Sequence, residues 1–570
     1  MKALVHLALA VLCVAYCLGR GLKPAQSAAV GGRPEVVLLN GKIITLDKNL
    51  SIKQAVAIQN GRFIAVGSDQ EIRLSIWPTT RVVNLSGRTV IPGLNDSYIH
   101  ATVAGLTWDT DMHWEFTRSL ADGLAQIRTA AKERPAGSWI VVAGGWAPEQ
   151  FAERRLPTRA ELDATAPKHP VFLQYLGQAA VLNSAALSAL GINRQTANPP
   201  SGEFERDPKT GELTGVLRGA AWKHGYDKIP LPPLDKIRES LRSSFRELNR
   251  LGLTSIGDVQ TDGVNFAHRR VLADMARTGE LTLRVNFYLA PNEPGDELEQ
   301  LRRMTEEVKQ LPSNDMFRFA GFGGSLIRRP NDIELTQKTS IDPALKEKYR
   351  SMIRFFAASG YNFQLRAARD DRARQLLDII EEVHRETPFS RQRIAFTGLE
   401  DPTPETMERI KKLGGGISVQ ERLAFRSERS PEISDDSKVQ RVPPLRTMID
   451  AGVPLGAGSG GFRAANYSPM LSLWWLITGN TIPGTPGRDP RQNLSREEAL
   501  RMYTMGSAWF TSDDWRRGSI EAGKLADLAV LDADYLTVPE DQIPKLQSLL
   551  TMVNGRIIYA AGPFAQYERR

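Results

Sequence analysis

The sequence predicts an α/β protein: a (β/α)8 TIM-type barrel with a small β-sandwich formed from both chain termini. Three observations carry this. Strand-like and helix-like segments alternate over about four hundred residues, the pattern of a barrel whose strands are joined by helices. Both chain ends contain β-rich runs with Asn-Gly dipeptides, a strong short-range turn signal. At 570 residues the chain is long enough for a large barrel plus an accessory domain. A doubly wound sheet is the alternative, but no glycine-rich phosphate loop follows an early strand.

The elements follow in order. Met1 and Lys2 precede an apolar run over residues 3–18, and the small, polar segment around Gln26 and Ala29 offers a cleavage region. Residues 1–29 are therefore expected to be a signal peptide, and the protein periplasmic or secreted. Both cysteines, Cys13 and Cys17, lie inside this leader, so the mature chain has no thiol or disulfide chemistry. A linker rich in Gly, Pro and Ala leads to residues 36–45, which fold at Asn40-Gly41. A second such turn is expected at Asn60-Gly61 and a third at Asn554-Gly555. The expected domains are a β-sandwich from 30–92 and 513–570, enclosing a barrel from 93–512.

Inside the barrel, Ile237, Leu241, Phe245, Leu248 and Leu251 recur at helical spacing, and Gly252 stops the helix before a short buried strand at 253–258. Further strands are expected at 283–289, 317–322, 362–366, 393–398, 416–420 and 453–458. Amphipathic helices separate several of them, such as the one containing Leu376, Leu377, Ile380 and Val383, and the one opened by Ser495 with Glu498 as a capping box.

Composition excludes some functions. The chain is 41% hydrophobic and 24% charged, as in an ordinary soluble protein. Its formal charge of +8 is scattered and interleaved with acids, as from Arg366 to Arg372, and is read as solvated surface. No nucleic acid is expected as a partner, and no membrane beyond the leader.

The most informative segment is Pro92-Gly93, then Asp96, then Tyr98-Ile99-His100. Residues two apart in a strand face the same way, so Tyr98 and His100 should face one cavity. With Gly144-Gly145-Trp146, the hairpin-like 202–207 followed by Thr214-Gly215, and the closing Gly523-Lys524-Leu525-Ala526-Asp527-Leu528, this segment resembles the amidohydrolase-3 branch of the amidohydrolase superfamily. The resemblance covers nearly the whole mature chain. It implies a metal-dependent hydrolase in which one or two divalent ions, of zinc type, sit at the carboxyl ends of the barrel strands. Such an ion lowers the pKa of its bound water to about 7 and polarises the scissile carbonyl of an amide-type bond.

The family's pattern then implies six ligand positions. His-x-His has become Tyr98-x-His100; Gly324 stands where a bridging carboxylate is expected; Arg366 and Gly398 stand where histidines are expected; Gly460 stands where an aspartate is expected. His100 is the only ligand-type residue left, and a catalytic zinc needs about three protein ligands. No cofactor is therefore expected, although the family implies one. Tyr98, His100, Gly324, Arg366, Gly398 and Gly460 are instead expected to line a ligand pocket, with Trp146 as a further wall or as barrel core. Arg366 would favour an anionic ligand. Asp96, Asp109, Asp111, Asp258, Glu400, Asp401, His113 and His268 are the residues available to a replacement metal site, but none shows a ligand spacing. Combining Tyr98→His, Arg366→His, Gly398→His, Gly460→Asp and an acid at 324 is expected to restore metal uptake.

Two functions stay open. One is a catalytically impaired or inactive homologue that binds a small molecule in the barrel pocket. The other is an active hydrolase of non-peptide carbon–nitrogen bonds with an unconventional or absent metal site.

Overall fold

The computed structural model describes residues 32–259, 263–327, 340–425, 443–482 and 484–568. The expected leader at 1–29, with its two cysteines, lies outside the described residues. Eight strands form one parallel sheet in chain order: Leu94–Ile99, Leu253–Val259, Arg284–Leu289, Phe317–Phe322, Phe363–Arg366, Ile394–Thr397, Gly416–Gln420 and Leu455–Gly458. They are called the first to eighth barrel strands below. The eighth returns to the first, where the Gly460 N–H donates to the Tyr98 carbonyl at 2.9 Å. Gly458 permits that approach, because a Cβ there would lie 2.7 Å from the Tyr98 nitrogen.

Helices cover the barrel by burying one face each. In Leu234–Arg250, Ile237, Leu241, Phe245 and Leu248 are buried at the expected helical spacing. Each large side chain so buried contributes about 1.5–3 kcal/mol. The expected capping box is present: the Ser495 side chain accepts from the Glu498 N–H, and Glu498 accepts from the Ser495 N–H. The outward-pointing Phe363, Leu365, Ile394 and Phe396 join these helices in one continuous core.

Two further sheets make a sandwich around a shared core of Leu38, Val56, Phe63, Val90, Leu528, Val530 and Met552. One runs Arg62–Gly67, Ala55–Gln59, Val36–Leu39, Arg81–Asn84; the other runs Arg556–Ala560, Ser548–Val553, Leu528–Leu531, Thr89–Pro92, Lys42–Ile44, Ile52–Lys53. The two chain ends meet where Leu528–Leu531 pairs antiparallel with Thr89–Pro92.

The Asn-Gly turns do not all behave alike. Asn60-Gly61 and Asn554-Gly555 have positive φ at both residues and join adjacent antiparallel strands, as a two-residue hairpin with right-handed twist requires. At Asn40-Gly41 only Asn40 has positive φ, at 57°, and the flanking strands belong to different sheets. The expected hairpin is a crossing from one layer of the sandwich to the other.

The segment assigned to the barrel from 93 to 512 also contains a sheet of its own. Between the first and second barrel strands, six strands in the order Gly202–Arg206, Leu213–Gly219, Ala179–Leu182, Val171–Tyr175, Ile140–Val142, Asp111–Met112 form a separate layer. It has its own apolar clusters, one built on Trp114, Trp146 and Phe151.

Candidate ligand site at the barrel mouth

Six of the seven residues expected in the pocket come together at the carboxyl pole of the barrel. Tyr98 lies near the end of the first strand and His100 just past it, Gly324 follows the fourth, Arg366 ends the fifth, Gly398 follows the sixth and Gly460 follows the eighth. Trp146 does not join them. It follows the strand Ile140–Val142 and is fully buried in the apolar cluster of the inserted sheet, and its indole N–H donates to the Gln174 carbonyl at 2.9 Å. An indole with both its ring and its N–H satisfied inside a core offers no face to a ligand.

Tyr98 points into the barrel. It packs with Val259, Tyr288 and Ala320 and is 5% exposed. Its ring meets that of His100 edge to face, with centroids 5.3 Å apart. The His100 Nδ1 lies 2.9 Å from the Val259 carbonyl, which can only accept, so Nδ1 carries the proton. Burial pushes the imidazole pKa down to about 4, and the nearby positive charges of Arg366 and Arg463 push the same way. At neutral pH His100 is an uncharged ring.

Gly398 and Gly460 have φ of 66° and 69°, and Gly324 has 93°. Between the first two lies the amide of Gln420, the last residue of the seventh strand. Its Oε1 would stand 3.3 Å from a Cβ at 398 and 3.9 Å from one at 460. Gln364, two residues before Arg366 and so on the same face of its strand, has both amide atoms buried without a hydrogen-bond partner. The mouth is thus lined with neutral amides, a phenol, an uncharged imidazole and guanidinium groups.

Of the acids available to a replacement metal site, Asp96, Asp111, Asp258, Glu400 and Asp401 are already engaged. Asp96 is fully buried at the barrel seam, where its carboxylate accepts from the Tyr98 N–H at 2.9 Å and the Ser459 N–H at 3.0 Å. Burial pushes its pKa up to about 7. Asp258 holds Thr102 through backbone N–H and hydroxyl, Glu400 pairs with Arg422, and Asp401 accepts from the Asp370 N–H at 2.6 Å. His268 sits in the first turn of the helix Phe266–Thr278, and its backbone N–H donates to the capping Asn265. Among the described residues no group of three or more His, Cys, Asp or Glu could hold a metal ion.

Sequence reasoning missed Gln420, Arg463 and a buried chain through Glu421. The Ser472 hydroxyl donates to Glu421, and the Tyr503 hydroxyl donates to Ser472 at 2.7 Å. Burial raises the Glu421 pKa well above the carboxylate range, with Asp96 adding to the effect. The strand ending at Gln420 was legible, and a polar residue closing a barrel strand was the available signal. Arg463 lies in a loop, where nothing in sequence pattern places a side chain.

The architecture has counterparts. The chain matches the model of the amidohydrolase family, in its amidohydrolase-3 branch, over residues 81–559. It belongs to that family. Among relatives of this amidohydrolase-family chain, the N-substituted formamide deformylase of Arthrobacter pascens is 28% identical over 554 residues, covering 92% of this chain and 98% of that protein. A putative amidohydrolase of Bacillus subtilis is 25% identical over 535 residues, covering 91% and 98%. Among solved structures, an uncharacterized metal-dependent hydrolase from Pyrococcus furiosus superposes with a TM-score of 0.60 at 22% identity, over 88% of this chain and all of that one. A mutant atrazine chlorohydrolase from Arthrobacter aurescens, complexed with zinc, gives 0.52 at 15% identity, over 92% and 95%. The family is metal-dependent, and the donor set described at this barrel mouth does not fit such an ion: one neutral imidazole, beside two guanidinium groups, supplies too few donors and the wrong field.

Proposed function

We propose that this member of the amidohydrolase family is a catalytically impaired or inactive homologue that binds a small molecule at the barrel mouth. The observation that carries the reading is Gln420. Its neutral amide oxygen stands beside two of the ligand positions implied by the family, 3.3 Å from a Cβ at 398 and in ordinary contact at 3.9 Å with one at 460, so an amide fills the ground between two glycines where the family pattern implies a histidine and an aspartate. Tyr98, Gly324 and Arg366 at three of the other positions supply no imidazole or carboxylate, and Arg366 adds a like charge to any metal cation. The ligand is a small molecule, with anionic character favoured by the guanidinium groups; the leader read at residues 1–29 makes export part of the proposal.

The test is elemental analysis of purified protein together with an assay on an N-substituted formamide, with and without added zinc or manganese. Less than one metal ion per ten chains and no metal-stimulated hydrolysis are expected, a threshold of about a tenth chosen to exclude a structural or catalytic stoichiometry. One tightly held ion per chain, or hydrolysis abolished by a chelator, would sink the reading. The second reading, an active hydrolase of non-peptide carbon–nitrogen bonds, is favoured by the similarity to the deformylase over 98% of its length. It requires hydrolysis that a chelator removes or, without a metal, that His100→Gln removes.

A further inference from the structure

The corner where the inserted layer meets the barrel mouth holds a histidine beside a buried acid. His113 follows the strand Asp111–Met112 at the edge of the inserted sheet, and its side chain is 33% exposed, so solvent can deliver a proton to it. Its Nε2 lies 3.0 Å from the Trp108 carbonyl, which can only accept, so in the neutral ring Nε2 carries the hydrogen. The bare Nδ1 then faces the Glu115 carboxylate, 3.9 Å from Oε1. Two acceptors confront each other with no hydrogen between them, and the Glu115 Oε2 is buried without a partner.

This corner is tied to the loop after the eighth strand. The His113 ring lies over Trp108 with centroids 3.8 Å apart, and Trp108 meets Phe462 and Tyr467 of that loop edge to face at 5.6 and 5.7 Å. The Asn466 side-chain amide donates to the Glu115 carbonyl at 3.2 Å. A Cβ at Gly145 would lie 2.8 Å from both the Glu115 Cγ and the Phe462 carbonyl oxygen, so a glycine lets the inserted layer, Glu115 and the loop meet. The loop begins at Gly460-Gly461, where the Gly461 carbonyl accepts from the His100 N–H at 2.7 Å. Whatever holds this loop holds one side of the mouth.

We infer that His113 and Glu115 form an acid-strengthened clasp that fastens the loop after the eighth strand, and with it one side of the barrel mouth, to the inserted layer. A proton taken up from solvent at Nδ1 turns the facing acceptors into an ion pair and makes the ring above Trp108 a cation–π partner. The charges facing His113 are those of Glu115 and Asp111, both acidic. The loop adds Tyr467, whose hydroxyl donates to Glu247 at 3.3 Å, and Arg463, whose charge acts on Asp111. Burial by itself would lower the His113 pKa, but Glu115, the Trp108 carbonyl and Asp111 outweigh it and raise the pKa above its usual value. A pKa raised on folding means that the clasp holds in full below the ordinary imidazole value of about 6.5 and loosens as pH climbs through the raised one. It needs neither ligand nor metal, so it is independent of the ligand-binding reading.

Hydrogen exchange of the full chain, read as protection factors over residues 461–467 at about pH 6 and about pH 8.5, tests this. Protection is expected to be about threefold or more higher at the lower pH, the change that a pKa difference of about half a unit supports. His113→Gln should abolish that difference. Titration of carbon-13-labelled histidines by NMR should show one resonance, missing in His113→Gln, with its midpoint above about 6.5, and Glu115→Gln should lower that midpoint. Equal wild-type protection at the two pH values, a pH difference that persists in His113→Gln, a His113 midpoint at or below about 6.5, or a midpoint unmoved by Glu115→Gln would each overturn the inference. The wild-type exchange measurement stands even if a variant fails to fold.

Discussion

A buried Asp at a seam behaves differently from one at a metal. Asp96 belongs to the segment that first suggests a metal site, yet its carboxylate closes the barrel by accepting from Tyr98 and Ser459. Burial raises its pKa from 3.8 to about 7. A group whose pKa rises on folding contributes its stability in full below the unfolded value, and that contribution is lost as pH climbs through the folded one. Between pH 4 and 8 the stability of wild type relative to Asp96→Asn should fall by about 4 kcal/mol, from 1.36 kcal/mol per pKa unit. Urea titrations of both proteins across that range measure it. Taking the difference removes the opposite slope of His100, whose lowered pKa costs stability as pH falls from the unfolded value towards about 4. No change in the difference would mean that Asp96 stays ionised throughout.

At the scale of elements, the strand ends decide what the site can hold. Gly398 and Gly460 close the sixth and eighth strands in the left-handed region, where an L side chain costs about 1–2 kcal/mol. Gly398→Ala and Gly460→Ala should each lower stability by about 1 kcal/mol, read from the denaturant midpoint. The same geometry revises the expectation of restored metal uptake. With Tyr98→His, Arg366→His, Gly398→His, Gly460→Asp and Gly324→Glu combined, the new side chains at 398 and 460 would start from strained backbone, and the one at 398 would crowd the Gln420 amide. Zinc binding after dialysis should rise clearly only when Gln420→Ala is added; equal uptake without it would show that Gln420 is not the obstacle. The barrel strands from the second to the eighth were legible from buried apolar runs bounded by turn residues, because alternation and length are local properties. The direction of the Gln420 and Gln364 amides was not, because it depends on how neighbouring strands pack.

The whole molecule is joined at the other pole of the barrel. Arg284, on the third strand and 1% exposed, donates to Asp527 of the sandwich at 3.0 and 3.2 Å and to the Asn554 side chain at 2.7 Å. Removing one member of a buried pair leaves the other charge uncompensated. Arg284→Met should therefore destabilise the protein by about 3–5 kcal/mol, measured by urea denaturation. A loss under about 1 kcal/mol would show that water reaches Asp527 and replaces the guanidinium.

The amino-acid sequence by itself determined the family, the barrel with its helices, the strands contributed by both chain ends, and the clustering of Tyr98, His100, Gly324, Arg366, Gly398 and Gly460 at one pole. These follow from local periodicity, turn chemistry and the order of short motifs along the chain. Only the tertiary structure decided that Trp146 is core, that Asn40-Gly41 crosses between layers, that 111–219 carries a separate sheet, and that Arg463 and Gln420 share the mouth with His100. Each of those depends on contacts between residues far apart in the chain, which no local pattern encodes.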